Sequence, residues 1–127
     1  MKILLDSQVL FWWYSEPAKL SKRAGSMIHD GSNTVLISAA TAWELSIKAA
    51  LGKLDALQLV MDFSTYLEEE GFEELPIAIS HAIRAGLLPI HHKDPFDRLL
   101  VAQAQELSVP MVSSDQGLDS YGIIRIW

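Results

Sequence analysis

Apolar residues along this chain fall into short compact runs separated by longer stretches with helical spacing. Ile3-Leu4-Leu5 is the first run and ends at Asp6. Thr34-Val35-Leu36-Ile37 is the second, rich in β-branched residues and ending at Ser38. Leu75-Pro76-Ile77 is a weaker third. Met111-Val112 is a fourth, entered from Pro110 and ending near Ser113-Ser114-Asp115, and Ile123-Ile124-Arg125-Ile126 closes the chain. Runs this short and apolar on both faces predict strands buried in a parallel sheet. The intervening stretches predict helices. One spans Lys19 to His29 and is ended by Asp30-Gly31. A second, N-capped by Ser38, spans Ala39 to Leu51 and is stopped by Gly52. A third is capped by Asp55, shows one face through Leu57, Val60, Met61, Ser64 and Leu67, and stops at Gly71. A short helix capped by Ser80 covers His81 to Leu87. Asp94-Pro95 then starts a helix running through Phe96, Leu99, Leu100 and Gln103 toward Leu107, with Asp as N-cap and Pro at the first helical position. Strand–helix alternation predicts an α/β fold, a three-layer α/β/α sandwich around a central, mainly parallel sheet. No repeat, linker or low-complexity stretch interrupts it, so residues 1–127 read as one domain.

Composition narrows the chemistry. The sequence has no cysteine, which excludes a disulfide scaffold, a thiolate metal site and a cysteine nucleophile. Half of its residues are hydrophobic and 20% are charged, enough apolar content for a packed core. No run of about eighteen apolar residues exists to span a membrane. The N-terminal run is too short for a signal-peptide core and is interrupted by Asp6, so a soluble cytoplasmic protein is expected. The formal net charge of −6 counts against a module that grips nucleic acid by phosphate contacts alone. It is compatible with an enzyme that meets phosphate through bound metal, because the ion inverts the local sign.

Four acids stand where a parallel sheet would gather them. Asp6 and Asp115 follow strand runs, so both carboxylates emerge on the same edge. Glu44 lies one to two turns into the helix after the second run, beside Ala40, Ile47 and Leu51, at the border of the buried face where an unpaired charge is costly. Asp97 lies in the first turn of the Asp94-Pro95 helix, whose start points toward that same edge, the usual ligand-binding edge of such sheets. Converging carboxylates raise one another's pKa, and a divalent cation removes the penalty. All-oxygen ligands suit Mg2+ or Mn2+. Each acid also has a plainer role. Asp6 can cap a helix. Glu44 can pair with Lys48 at i, i+4, worth roughly 0.2–0.5 kcal/mol. Asp94 serves as an N-cap, Asp97 suits the helix dipole, and Asp115 suits a turn before Gly117. His91, His92, Lys93 and Arg98 are either a basic rim that steers phosphate or ordinary solvated loop. The histidines lack zinc-site spacing. Phe11-Trp12-Trp13-Tyr14 is too compact for one helix stripe and reads as core or interface in preference to a base-stacking surface. Serine-hydrolase, P-loop and dinucleotide-binding signatures are absent.

These motifs together carry a resemblance. Leu4-Leu5-Asp6-Ser7, the stretch Ser38-Ala39-Ala40-Thr41-Ala42-Trp43-Glu44-Leu45-Ser46-Ile47-Lys48 followed by Gly52-Lys53-Leu54, the stretch His91-His92-Lys93-Asp94-Pro95-Phe96-Asp97-Arg98-Leu99-Leu100-Val101-Ala102-Gln103-Ala104, then Ser113-Ser114-Asp115 and Ile126-Trp127 occur in order along the whole chain. The chain thereby resembles the PIN-domain family, in particular VapC-type toxins of prokaryotic toxin–antitoxin pairs. The resemblance implies metal ligation by Asp6, Glu44, Asp97 and Asp115, with Ser113 as the hydroxyl residue two before the last acid. It implies Mg2+- or Mn2+-dependent cleavage of RNA, homodimerisation and inhibition by a cognate antitoxin. Ser7, Lys48, Asp94 and Arg98 are candidate supporting residues. Ser7 stands where the subgroup often has Thr, which keeps the hydroxyl. Gln8 stands where it often has His, so no role is carried over to it. Two other readings compete. A receiver-type signalling module would need an acidic pair after the first strand and a Lys after the last, and the chain has neither. A catalytically silent partner-binding domain would use the acids only as helix caps.

Overall fold

The computed structural model describes residues 1–127. Five strands form one sheet: β1 (Lys2–Leu5), β2 (Thr34–Ser38), β3 (Glu73–Leu75), β4 (Met111–Val112) and β5 (Arg125–Ile126), in the order β3-β2-β1-β4-β5. Every pairing is parallel. Successive side chains of a strand point to opposite faces, and the apolar runs feed two cores accordingly. Ile3, Leu5, Val35, Ile37, Val112 and Ile126 enter one core, and Leu4, Leu36 and Met111 the other. The first core is closed by α1 (Ser7–Ser15), α2 (Lys22–His29), α4 (Leu57–Met61) and α5 (Phe63–Glu70). The second is closed largely by α7 (Pro95–Leu107), through Leu100, Val101 and Ala104, and by a 3-10 segment at Gln116–Tyr121. With α3 (Ala39–Ala50) and α6 (Ile79–Leu87) this makes the expected three-layer α/β/α sandwich. No helix is long and apolar enough to cross a membrane.

Several boundaries differ from the sequence expectation, each for a local reason. The helix expected from Lys19 begins at Lys22. Pro17–Lys19 is a separate 3-10 turn, and the Ser21 hydroxyl accepts the Ala24 N–H at 3.0 Å to cap the α-helix. The helix expected after Asp55 is two, because Asp62 leaves helical geometry (φ −116°, ψ 29°) and joins α4 to α5. Gly71 does end the second, at φ 73°, a left-handed conformation that glycine adopts without a Cβ penalty. The third strand lies two residues earlier than expected, before Pro76, which has no N–H to give to a ladder. Ser80 does not cap α6. The His81 imidazole does, its Nδ1 accepting the Ala78 N–H at 3.0 Å, while Ser80 donates to Glu106. The last strand keeps only Arg125–Ile126 of the expected 123–126 run.

Candidate metal centre

Because all five strands run the same way, their C-terminal ends meet along one edge. The Asp6 N–H bonds the Val112 carbonyl at 3.0 Å, so the residues just past β1 and β4 are held side by side. β2 leads directly into α3, whose start is fixed by the Ser38 hydroxyl accepting the Ala40 N–H at 3.0 Å, and Glu44 follows on its buried side. The start of α7 completes the edge. A cavity of about 330 Å³ opens there, bordered by Asp6, Glu44, Asp94, Asp97 and Asp115, with Ser7, Gln8 and Lys48 beside them. The four sequence candidates therefore converge.

Asp6 is buried and makes no capping hydrogen bond. Instead its Oδ2 accepts the Ser113 hydroxyl at 2.7 Å, and the Ser113 oxygen accepts the Asp115 N–H at 3.1 Å. Ser113 thus spends its single proton on Asp6 and its lone pair on the chain leading to Asp115. Burial lifts the Asp6 carboxyl above its ordinary range, and the Ser113 donation opposes that rise. Ser7 lies against Thr41 at 2.9 Å, tying the start of α1 to α3.

Glu44 forms the expected pair: its Oε2 accepts the Lys48 ammonium at 2.8 Å. This hydrogen bond also raises the Lys48 pKa above its ordinary value. The other oxygen, Oε1, is buried and has no partner. An unsatisfied buried acceptor costs roughly 1–3 kcal/mol, more when charged. Asp97 is pushed up to about 7, first by burial and then by the negative charges of Asp6 and Asp94. The Asp94 Oδ1 accepts the N–H groups of Phe96 (2.8 Å) and Asp97 (3.3 Å), so Asp94 is the N-cap of α7 as read. An orphaned carboxylate oxygen, two acids held above their normal pKa and an all-oxygen donor set fit a hard divalent cation.

The basic rim expected from His91, His92, Lys93 and Arg98 is not formed as a unit. The Arg98 guanidinium turns inward onto four backbone carbonyls, those of Ala85, Leu88, Pro89 and His92. His91 packs its ring 5.2 Å from Tyr121. His92 sits in the cluster itself, its Nε2 2.9 Å from Asp115 Oδ2 and 3.4 Å from Asp97 Oδ2. Ligand-capable atoms of these three residues all lie within 4.8 Å of one another. Grouping the segment by charge missed this; the signal available was its nearness to Asp97 in sequence. The aromatic run is core-facing: Trp12 pairs with Trp127 at 5.9 Å and Tyr14 with Tyr66 at 5.4 Å.

The family model for the PIN domain matches residues 3–124. Ribonuclease VapC22 of Mycobacterium tuberculosis is 33% identical over 122 residues, covering 94% of this chain and 91% of that protein. Two crystal structures share the fold at low identity. VapBC2 from Rickettsia felis, bound to a DNA fragment from their promoter, is similar with a TM-score of 0.70 at 13% identity, covering 98% of this chain and 97% of the other. DNA-bound VapBC from Salmonella typhimurium gives a TM-score of 0.70 at 18% identity, covering 98% and 96%.

Proposed function

Because the chain belongs to the PIN-domain family, we propose that it is a divalent-metal-dependent endoribonuclease, acting as the toxin of a toxin–antitoxin pair. The observation that carries the metal dependence is the Glu44 Oε1 atom, buried and without a partner, on a residue that lines one cavity with Asp6, Asp97 and Asp115. In this reading those four carboxylates hold Mg2+ or Mn2+. A bound ion of this kind supplies an activated water and stabilises charge on the phosphate oxygens of the scissile bond. The chain's own residues prepare the place. Lys48 fixes one oxygen of Glu44 and leaves the other buried without a partner. Ser113 orients Asp6 and braces the backbone ahead of Asp115. Asp94 holds the first turn of α7 and with it Asp97. Ribonuclease action is supported by the name of the 33%-identical relative, and an antitoxin partner by the VapBC complexes that share the fold. Homodimerisation, a cytoplasmic location and a single functional domain over residues 1–127 belong to the same proposal.

The test is an RNA-cleavage assay of the purified chain with Mg2+ or Mn2+, on structured and unstructured RNA, beside Asp6→Asn. Cleavage by the wild type that needs added metal and is lost in Asp6→Asn is the expected result. Equal cleavage by both proteins overturns the reading.

A further inference from the structure

The triangle of His92, Asp97 and Asp115 has the composition of a one-histidine, two-carboxylate ligand set, but the second nitrogen of the imidazole argues for a different role. The Asp94 N–H points at His92 Nδ1 at 3.2 Å, so Nδ1 carries a lone pair. A neutral imidazole has one N–H and one acceptor nitrogen; the proton therefore lies on Nε2, the atom 2.9 Å from Asp115 Oδ2 and 3.4 Å from Asp97 Oδ2. A protonated Nε2 has no lone pair to offer a cation. We propose that His92 is a positioning residue of the metal centre, donating its Nε2–H to Asp115 and turning that carboxylate toward the cation without ligating it.

Two further features fit this role. The Asp115 side chain is more exposed than those of Asp97 and Glu44, at 41% against 17% and 7%, and so more in need of orientation. Its oxygens are each fixed by one donor, Oδ1 by the Gly117 N–H at 2.9 Å and Oδ2 by His92. The backbone that presents the ring is itself anchored on both sides. The His92 N–H donates to the Tyr121 hydroxyl at 3.0 Å, that hydroxyl donates to the Pro89 carbonyl at 2.9 Å, and Arg98 grips the His92 carbonyl at 3.4 Å. Groups that orient metal ligands in this way are worth roughly 10–100-fold in metal affinity.

The inference rests on the proposed metal-dependent function, and the experiment separates the two. The full-length chain is titrated with Mg2+ by calorimetry as wild type, His92→Ala and His92→Gln, and the imidazole tautomers of the wild type are read by 15N spectroscopy with and without saturating Mg2+; the His92→Ala spectrum assigns the resonance. The expected results are an Nε2–H tautomer for His92 in both states, Mg2+ affinity weakened roughly 10–100-fold in His92→Ala, and substantial recovery in His92→Gln, which restores a side-chain N–H donor. Loss of the Nε2 proton on adding Mg2+, or a folded His92→Ala that binds Mg2+ as tightly as wild type, overturns the positioning role and leaves the metal centre standing. A wild type that binds neither Mg2+ nor Mn2+ overturns both.

Discussion

Burial and the neighbouring charges of Asp6 and Asp94 push the Asp97 carboxyl up to about 7, whereas in the unfolded chain it titrates near the ordinary carboxylate value of about 4. Between those two values the folded protein keeps a proton that the unfolded chain has released. Stability therefore falls as pH rises through this window and levels off above it. Asp6, also raised by burial, adds in the same sense. Metal-free protein is expected to lose melting temperature from pH 5 to pH 7.5, by no more than a few kcal/mol of stability. Asp97→Asn is expected to flatten that slope, and thermal melts of both proteins in chelator-treated buffer measure it. Glu44 gives a second expectation. Glu44→Gln removes a buried charge with an orphaned oxygen and also removes the Lys48 ion pair. These effects oppose each other, so the metal-free stability, read by thermal melts, should stay within roughly 1 kcal/mol of wild type, while stabilisation by Mn2+ should disappear. A variant still fully stabilised by Mn2+ would remove Glu44 from the ligand set. These residues were unequally legible in the sequence. Asp6 and Asp115 are placed by the ends of apolar runs. Glu44 reads from spacing as a partner of Lys48, which it is, and only the motif match pointed to a second role. Charge alone groups His92 with Arg98, although one side chain sits against Asp115 and the other on backbone carbonyls.

At the scale of elements, α7 shows how one residue can look like a ligand and act as a cap. Asp94 borders the cavity, yet its Oδ1 already serves two backbone N–H groups. Asp94→Ala is expected to cost about 1 kcal/mol of stability, and Asp94→Ser, which keeps a capping oxygen, to recover most of it. Urea denaturation measures the difference. Calorimetric Mg2+ affinity of Asp94→Ser should stay close to wild type; a collapse there would make Asp94 a ligand. Arg98 works between elements, joining the end of α6, the following loop and α7 through four carbonyls. Arg98→Ala is expected to cost roughly 3 kcal/mol, read by the same denaturation. The elements most legible in the sequence were those with local signals. α3 and α7 begin at Ser and Asp caps, and β1, β2 and β4 are apolar runs. What escaped depended on tertiary contact. His81 caps α6, and imidazole is outside the usual cap vocabulary of Ser, Thr, Asp and Asn. The break at Asp62 interrupts a periodic apolar face that continues across it, and β3 pairs at the sheet edge through Glu73 and Glu74, which have no apolar signature.

For the whole molecule, the parallel sheet gathers acids from four distant segments at its C-terminal edge, in a chain already carrying a net charge of −6. Folding without metal must therefore compress like charges, and a cation that binds only the folded chain stabilises it by mass action. At a free concentration of 100 times Kd this amounts to about 2.7 kcal/mol. In the proposed metal centre the proton on Asp97 competes with the cation for the same carboxylate. Because that carboxyl titrates at about 7, the stabilisation by a fixed Mg2+ concentration should be small at pH 6 and larger at pH 8. The dependence of metal-free stability on pH runs the opposite way, so the two melting curves should diverge as pH rises. Calorimetric melts at pH 6 and pH 8, with and without Mg2+, measure the divergence. A Mg2+ effect equal at both pH values would mean that the cation does not displace the Asp97 proton, and that Asp97 lies outside its coordination.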